Sequence, residues 1–340
     1  MVGESNQILG IGKRRGPAVV CIGGGTGLST LLRGLRKVAP NITAIVTVTD
    51  DGGGSGVLRG ELGMPPPGDI RNCLLALSNA EPTIERLLSY RFSSGNLKGQ
   101  SFGNLFLAAI NGISESFDKA VAKMGEVLSI TGRVLPVTIE DIRLWAEFED
   151  GRIVIGESMI ATAKARKQSR IKRVGLAPGY ANALPECVEA IKNADLIVLG
   201  PGSLYTSIIP NLLVDGVVDA IKGSDAVKLY ICNVMTEPGE TEGYSVFEHV
   251  WEIFGHAGGK IFDNCLVNSE PAPPTVLNKY KISGATPVHE DGEKVKKLDV
   301  KIIRAPIAAD LSSLARHDPD KLAREVLRIF HEKAPTRTYE

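Results

Sequence analysis

Two glycine-rich loops, each directly after a short apolar and β-branched segment, constrain the fold of this chain more than any other feature. The first loop is Gly23–Gly27 and the second is Asp50–Gly56. Glycines in such loops allow positive φ angles and let main-chain N–H groups approach an anion, while a following helix N-terminus adds about half a positive charge. The repeated pattern predicts an α/β chain with a phosphate-binding site at the loops. A tight turn without a ligand is the alternative for the first loop.

The chain around these loops is predicted to alternate between strands and helices. Strand Ala18–Ile22, helix Leu28–Val38 and strand Ile42–Thr49 predict a right-handed βαβ unit. Asp150-Gly151 predicts the turn of a β-hairpin. Helical patterns are found at 69–79, 82–91, 102–112, 116–128, 184–193, 245–254 and 319–331. Further strands are expected at 195–199, 228–231, 261–267 and 300–303.

We therefore predict an α/β fold with a doubly wound, mainly parallel sheet, a helical insertion at about 69–130 and a β-hairpin. No repeat or low-complexity linker divides the chain, so residues 17–335 are expected to form a single domain. The preceding segment, residues 1–16, is polar and carries Lys13-Arg14-Arg15, which is typical of a flexible tail.

Composition argues against several functional classes. The formal net charge is zero and aromatic residues make up 5% of the 340 residues, so neither nucleic acid nor an anionic membrane is favoured as a partner. The five cysteines are scattered and form no C-x-x-C pair, which is typical of reduced thiols. No apolar stretch is long enough for a membrane span or a signal peptide. We therefore expect a cytoplasmic protein without membrane insertion.

A third glycine loop and a polar loop follow later predicted strands. The third loop is Gly200–Ser203, and the polar segment Asn233–Thr241 offers Asn233 and Thr236 for recognition of a base or a sugar. In open parallel sheets ligands bind beyond the carboxyl ends of the strands, so all these loops should converge on one crevice. We expect phosphate groups to accept hydrogen bonds from the first and third glycine loops. The candidate phosphate-binding residues are Gly24, Gly25, Thr26, Gly200, Gly202 and Ser203.

The first loop argues against a dinucleotide cofactor. When the G-x-G-x-x-G pattern is aligned from Gly23, its third glycine position is occupied by Leu28, whereas close packing of helix and strand there needs Gly or Ala. An NAD(P)-dependent enzyme is therefore the weakest of the functional alternatives.

Carboxylates at the second loop suggest a cation or a sugar hydroxyl as a further guest. Asp50 and Asp51 end a predicted strand, and Asp69 follows the proline-rich loop 65–68. Because Mg²⁺ is commonly held by one or two carboxylates together with phosphate oxygens, Asp50, Asp51 and Asp69 are all candidate metal ligands by residue type. Asp51 is a candidate for contact with the nucleotide or the sugar. The alternative for Asp69 is a helix N-cap before Ile70.

These motifs, in this order, resemble those of the gluconeogenesis factor (YvcK-like) family, whose relatives are the 2-phospho-L-lactate transferases (CofD-like). After Gly23–Gly27, the resemblance rests on Asp50–Gly56, Pro66–Arg71, Gly200–Ser207 and Asn233–Glu240, and it extends over about residues 17–330. It implies a Rossmann-like fold and a cytoplasmic bacterial protein. It also implies that Asp50 and Asp69 lie in the metal and acceptor region of the transferases.

The two branches of that family differ in what they do. The transferases move a phospholactyl group from a guanosine diphosphate carrier to a deazaflavin with Mg²⁺. The YvcK-like branch is associated with binding of UDP-sugars, notably UDP-N-acetylglucosamine, and with control of carbon flow, cell-wall precursor supply and cell shape. The loop Gly52–Gly56 and the triple proline are similar to this second branch. The resemblance places Tyr280 and Arg316 in the nucleotide-sugar site, where they are suited to stack on uracil and to pair with a diphosphate.

The sequence therefore predicts a regulatory protein that binds a nucleotide-sugar such as UDP-N-acetylglucosamine. We expect a homo-oligomer with a protein partner in cell-wall precursor metabolism, and Mg²⁺ as the one candidate cofactor. The alternative is a Mg²⁺-dependent transferase acting on a nucleoside diphosphate ester, in which Asp50 and Asp69 would be catalytic.

Overall fold

The computed structural model describes residues 16–160, 162, 169–282, 284–309 and 316–334. Of the expected tail 1–16, all but Gly16 lies outside these ranges. The strands are β1 (Val19–Gly23), β2 (Ile42–Val46), β3 (Arg133–Pro136), β4 (Arg143–Phe148), β5 (Ile153–Ile155), β6 (Ile171–Ala177), β7 (Leu196–Leu199), β8 (Val227–Ile231), β9 (Asn264–Asn268) and β10 (Lys301–Ala305).

Helices connect most of these strands. The first six are α1 (Gly25–Leu35), α2 (Gly53–Leu62), α3 (Gly68–Leu77), α4 (Pro82–Ser89), α5 (Phe102–Gly112) and α6 (Phe117–Val127). The later helices are Pro185–Lys192, Ile209–Leu212, Val217–Gly223, Val246–His256, Pro274–Ile282, Gly292–Lys296 and Pro319–Lys333, with a π-helical turn at Leu204–Ile208. Within the described ranges, no helix combines the length and the apolar character needed to cross a bilayer.

Seven strands form one parallel sheet in the order β10-β9-β8-β7-β1-β2-β3. The first strand, β1, lies in the interior of the sheet, β2 and β3 follow outward on one side of it, and β7 is added later on the other side. The strand order therefore reverses between β1 and β7, where Val19 pairs with Leu196 and Ile22 with Leu199. This doubly wound arrangement confirms the predicted fold class. Its reversal point is the place where open α/β sheets bind ligands.

Both faces of this sheet are covered, which explains the uninterrupted apolar character of its central strands. Along β1, Val19 and Cys21 belong to the buried cluster that includes α1, α3 and helix Pro319–Lys333. Val20 and Ile22 belong to the cluster on the other face, which includes helix Val246–His256. Parallel strands buried on both faces are typically continuous Val, Ile and Leu runs. All five cysteines are free thiols, and each is buried in this packing.

A small antiparallel sheet, in the order β5-β4-β6, joins one of these cores. The predicted hairpin at Asp150-Gly151 is confirmed by the pairing of β4 with β5. The third strand, β6, is not among the predicted strands, because its first residues belong to the basic run Lys164–Arg173, whose charges are typical of a solvated face. Lys172 and Arg173 of β6 are indeed exposed, and they pair with Glu147 of β4 at 2.6 and 2.7 Å. The residues on the other side of β6 are buried in the core.

Two further elements differ from the prediction. The glycine-rich segment after β2 forms helix α2 instead of a loop, although each helical glycine costs about 1 kcal/mol relative to alanine. Tertiary contacts offset that cost, because Leu58 is buried and the Arg59 guanidinium bonds to the Asp141 carboxylate and to the Ile142 carbonyl. Strand β3 is short, at the edge of the sheet, and ends in Pro136, a position where a missing N–H is tolerated.

Candidate functional site

A cleft of about 480 Å³ lies at the carboxyl ends of the strands on both sides of the reversal point. Its walls come from the loops after β1, β2, β7 and β8 and from the segments around Tyr280 and Arg316. The volume lies within the roughly 300–1,000 Å³ that is usual for small-molecule sites. The sequence candidates that line it are Gly24, Gly25, Thr26, Asp50, Asp69, Gly202, Ser203, Asn233, Thr236, Tyr280 and Arg316.

Two sequence candidates, Gly200 and Asp51, are outside the lining of this cleft. Gly200 is buried with φ +75° and precedes a cis peptide bond to Pro201, so it turns the chain out of β7. The Asp51 carboxylate accepts a hydrogen bond from the Ser158 N–H at 2.9 Å and is directed to the segment after β5. The structure therefore gives both residues a local role in shaping the loops.

The first and third glycine loops are in direct contact. A Cβ on Gly27 would lie 2.5 Å from the carbonyl oxygen of Pro201, which is closer than side chains approach backbone atoms. Gly202 lies against the first loop in the same way, because its Cβ would be 3.3 Å from the carbonyl oxygen of Gly24. Glycine at these positions therefore brings the first and third glycine loops together around one space.

Helix α1 begins within the first glycine loop, earlier than the expected start at Leu28. Gly24 is the N-cap, and Gly25 follows with a φ of +63° that favours glycine. The first turn contains no acidic side chain, so its main-chain N–H groups are not capped from within the helix. This helix terminus lines the cleft and is suited to an anion.

Asp69 approaches this helix terminus from α3. The Gly25 N–H donates a hydrogen bond to the Asp69 carboxylate. Burial, together with the neighbouring Asp50 carboxylate, raises the pKa of Asp69 to about 6, while the Gly25 hydrogen bond and the Arg71 guanidinium oppose the shift. The N-cap alternative for Asp69 is wrong, because Pro67 is the N-cap and Asp69 lies in the first helical turn.

Asp50 turns back on its own loop, where its Oδ1 atom accepts a hydrogen bond from the Gly52 N–H at 2.8 Å. Its other oxygen, Oδ2, would lie 2.9 Å from a Cβ at Gly68. The loop after β2 and the start of α3 are thus packed closely enough to hold Asp50 and Asp69 together in the cleft.

Glu157 also lines the cleft, and the sequence analysis did not identify it. It opens a short helical segment, residues 157–160, directly after β5. Burial first, and then the carboxylates of Asp50 and Asp69, raise the pKa of Glu157 to about 9. Its carboxyl group is therefore protonated at neutral pH and can donate a hydrogen bond. A glutamate after a surface hairpin carries no sequence signal for this role; only the preceding Gly156, with φ +104°, marks a sharp turn there.

The third glycine loop is positioned by side chains from the loop after β8. Asn233 accepts from the Gly202 N–H at 3.3 Å through Oδ1 and donates to the Gly202 carbonyl at 2.9 Å through Nδ2. The Ser203 hydroxyl donates to the Glu237 carboxylate at 2.7 Å. Burial raises the pKa of Glu237, and the hydrogen bond from Ser203 opposes this shift. Asn233 and Glu237 thus hold the loop in place before any ligand contact is made.

Thr236 and Tyr280 connect two segments into one wall of the cleft. The Thr236 hydroxyl accepts a hydrogen bond from the Thr286 N–H at 2.9 Å. Tyr280 lies on helix Pro274–Ile282 and packs against the small apolar cluster of Met235 and Val276. The position of the Tyr280 ring is therefore set by the same loop that holds Ser203.

Arg316 and His317 add a cation and an acceptor to the cleft. Among the described lining residues, Arg316 alone is a lysine or arginine, and its side chain is exposed. His317 is hydrogen-bonded to the Cys232 carbonyl, and burial lowers its pKa to about 4. The ring is therefore neutral at physiological pH, and its buried Nε2 atom has no partner in the described part of the chain. In the tautomer that donates to Cys232 through the other ring nitrogen, Nε2 is an acceptor.

The carboxylates suit a metal ion that is shared with a ligand, not one held by protein alone. In the described ranges, no three His, Cys, Asp or Glu side chains are grouped as metal ligands. Asp50 and Asp69 are nevertheless close enough for one to raise the pKa of the other. One or two carboxylates are sufficient for Mg²⁺ when phosphate oxygens and waters complete the octahedron. These two residues therefore fit Mg²⁺ only together with a phosphate-bearing ligand.

Comparison with known proteins gives concordant matches over almost the whole chain. The family model described as "2-phospho-L-lactate transferase CofD" matches residues 19–308. The "Putative gluconeogenesis factor" of Thermoanaerobacterium thermosulfurigenes is 56% identical over 315 residues, which cover 93% of this chain and 97% of that protein. The "Gluconeogenesis factor" of Bacillus subtilis is 48% identical over 317 residues, 93% of this chain and 99% of that protein. A crystal structure of a Bacillus halodurans protein, 49% identical, superposes with a TM-score of 0.88 and covers 92% of this chain and 99% of its own.

Proposed function

The chain belongs to the gluconeogenesis factor family of CofD-like proteins, and from this premise we propose that its cleft binds a nucleotide-sugar, with UDP-N-acetylglucosamine as the candidate ligand. The observation that carries the proposal is the meeting of two glycine loops with an arginine, a tyrosine and a neutral histidine in one space. Fold alone does not determine function, so the argument rests on the chemistry of these groups.

The diphosphate is assigned to the glycine loops. At the N-terminus of α1 the Gly25 N–H is bonded to Asp69, so the main-chain N–H groups of Gly24 and Thr26 are assigned to the ligand, and the third loop lies directly against this terminus. Four carboxyl groups from the described ranges line the same cleft, namely Asp50, Asp69, Glu157 and Glu237. Their repulsion of an anion is reduced because Glu157 is protonated at neutral pH and the pKa values of Asp69 and Glu237 are raised.

The nucleoside and the sugar are assigned to the remaining walls. Tyr280 provides an aromatic face for a base, and Arg316 provides the positive charge that a diphosphate requires. His317 Nε2 is an acceptor, so it complements an N–H or O–H group of the ligand. Uracil carries such an N–H, and a sugar carries several hydroxyls.

A regulatory role fits this site better than turnover in our proposal. The protein would report the supply of a cell-wall precursor through a protein partner, as a cytoplasmic homo-oligomer that links carbon metabolism to cell shape. The second candidate function is a Mg²⁺-dependent transferase, and the CofD family match favours it. When bound, Mg²⁺ would neutralise charge on the diphosphate, while Asp50 and Asp69 would hold it and orient an acceptor hydroxyl.

Calorimetric titration with UDP-N-acetylglucosamine, GDP and NADP⁺ tests the proposed ligand. We expect saturable binding of the UDP-sugar and weak or no binding of the other two. Equal binding of all three nucleotides, or none of the UDP-sugar, would contradict the proposal.

A second experiment separates regulator from enzyme. The UDP-sugar is incubated for hours with Mg²⁺ or EDTA, and release of the mononucleotide is followed by chromatography. If the protein only binds the UDP-sugar, no product should be released, and EDTA should hardly change the affinity for the UDP-sugar. Mg²⁺-dependent release of the mononucleotide that disappears in Asp50→Asn would favour the transferase.

A further inference from the structure

A second groove, of about 650 Å³, lies at the opposite end of the main sheet from the nucleotide cleft. Its walls come from the amino ends of β8 and β9 and from edge strand β10. Helix Gly292–Lys296 and the end of helix Pro319–Lys333 complete it. Because the strands are parallel, a ligand here would be separated from the cleft by the length of the sheet.

Positive charge dominates this groove, which we call the basic groove. Among the described residues, six lysines or arginines line it, against two aspartates. Both aspartates, Asp263 and Asp299, are bound by one lysine, Lys260, at 3.0 and 2.6 Å. Three more lysines that line the groove have no ion-pair partner in the described part of the chain, and these are Lys228, Lys301 and Lys333. Uncompensated ammonium groups around one concave surface favour an anion with more than one charge.

Asn264, at the start of β9, provides an independent sign of a ligand. This lining residue is 4% exposed, and its Nδ2 atom donates to the Lys228 carbonyl at 3.3 Å. Its Oδ1 atom is buried and accepts no hydrogen bond from the residues that the structure describes. Since buried polar atoms are nearly always paired, this oxygen calls for a hydroxyl or N–H donor from outside the chain.

We propose that the basic groove binds a small phosphorylated polyhydroxy compound of the sugar phosphate class. Its phosphate is placed among Lys228, Lys301 and Lys333, and one of its hydroxyls donates to the Asn264 oxygen. A nucleic acid is a poorer fit, because no aromatic side chain lines the groove in the described residues to stack on a base. A site of this kind, apart from the nucleotide cleft, would let the protein sense a second class of metabolite.

Three probes separate the two halves of the proposed recognition in calorimetric titrations of the full chain. Glucose 6-phosphate carries both phosphate and hydroxyls, inorganic phosphate carries charge alone, and glucose carries hydroxyls alone. We expect saturable binding of glucose 6-phosphate, at least about fivefold weaker binding of inorganic phosphate, and none of glucose. Equal affinity for the two phosphates would reduce the site to an unspecific positive surface and overturn the proposal.

Substitutions locate the binding. The double variant Lys228→Gln/Lys301→Gln should bind glucose 6-phosphate about tenfold or more weakly than the unmodified protein does. Lys297→Gln is the matched control, because Lys297 is exposed in the same region but does not line the groove, and it should change affinity less than about twofold. Asn264→Ala should weaken the binding of glucose 6-phosphate several-fold and leave the affinity for inorganic phosphate unchanged. If Asn264→Ala fails to fold, the lysine variants still decide the question.

Either of two results would overturn the proposal. The first is no saturable binding of glucose 6-phosphate up to about 10 mM. The second is binding that the lysine variants leave intact or that Gly25→Val abolishes, which would place the probe in the nucleotide cleft. UDP-N-acetylglucosamine is titrated into the same variants, and its affinity should not change. Failure of the basic groove would therefore leave the proposed function of the cleft standing, and the reverse also holds.

Discussion

Among the described residues at the carboxyl ends of the main-sheet strands, the cleft offers main-chain N–H groups, the Arg316 side chain and several carboxyl groups. At the amino ends, the described part of the basic groove offers lysine side chains and the unpaired Asn264 amide oxygen. The first arrangement is rigid, because two glycine loops pack directly on each other and a side-chain network holds the third loop. The second depends on long, partly or fully exposed side chains.

This difference shows two ways in which one sheet can meet an anion. Main-chain N–H groups at a helix terminus are fixed by the fold, so they bind without loss of side-chain freedom. Lysines pay that conformational cost on binding, and their exposed charges are screened by salt. The cleft should therefore be sensitive to backbone geometry, whereas the basic groove should be sensitive to charge and ionic strength.

The largest effect is expected for a change of backbone geometry in the cleft. Gly25→Val should weaken nucleotide binding by about 100-fold or more, because a β-branched residue resists the φ of +63° and fills space next to the helix terminus. Binding is measured by calorimetry and folding by circular dichroism. Gly60→Val in α2 is the control, since a Cβ there meets nothing within 4 Å. Normal affinity of Gly25→Val would show that the first loop only turns the chain.

Removal of Arg316, the one lysine or arginine among the described lining residues of the cleft, should have the next largest effect. Arg316→Ala should weaken the binding of UDP-N-acetylglucosamine about tenfold or more, since a charge-assisted contact contributes roughly 1.5–3 kcal/mol to binding. Arg324→Ala, on the exposed face of helix Pro319–Lys333, is the matched control and should bind as the unmodified protein does. Identical titration curves for both variants would remove Arg316 from the site. The contrast between the two ends of the sheet would then be sharper, because the cleft would bind the diphosphate without a contribution from Arg316.

Glu157 should make the stability of the cleft depend on pH. Its folded pKa of about 9 lies above the ordinary value of 4.5, so its contribution is complete below pH 4.5 and is lost as the pH rises toward and through about 9. Between pH 6 and pH 9.5, the free energy of unfolding of the unmodified protein should fall by about 1–2 kcal/mol more than that of Glu157→Gln, as measured by thermal unfolding. Glu149→Gln on the exposed hairpin is the control. Parallel pH profiles for protein and Glu157→Gln would mean that this carboxyl is not buried among other acids.

The smallest expected effect is a difference in salt dependence between the two ends of the sheet. Raising the ionic strength from about 0.05 to 0.5 M should weaken the binding of glucose 6-phosphate to the basic groove several-fold, because salt screens the partly or fully exposed lysines. The affinity of the cleft for UDP-N-acetylglucosamine should change by about half that factor or less. Both dissociation constants are measured by calorimetry on one preparation. An equal or larger salt effect at the cleft would contradict the contrast between main-chain and side-chain recognition.

The sequence predicted the central part of the fold well where local and tertiary preferences agree. Strands β1, β2 and β7 are apolar on both faces, so their positions are visible as continuous runs followed by glycines. The predictions failed where tertiary contacts override local preference. Helix α2 forms from a glycine-rich segment because Arg59 and Leu58 are held by other elements. Strand β6 overlaps a basic run, and its exposed Lys172 and Arg173 obscure the burial of Ile171, Val174 and Leu176.

For the candidate site, the amino-acid sequence by itself determined which loops could hold phosphate, since glycines after buried strands leave main-chain donors accessible. It also supplied the motifs that place the chain in its family. Only the tertiary structure decided that Asp51 is directed to Ser158, that Glu157 from a distant hairpin joins Asp50 and Asp69, and that lysines of β8 and β10 line one groove. The physical reason is that these arrangements depend on strand order and on burial. Both are set by packing between elements far apart in the chain, which no local pattern records.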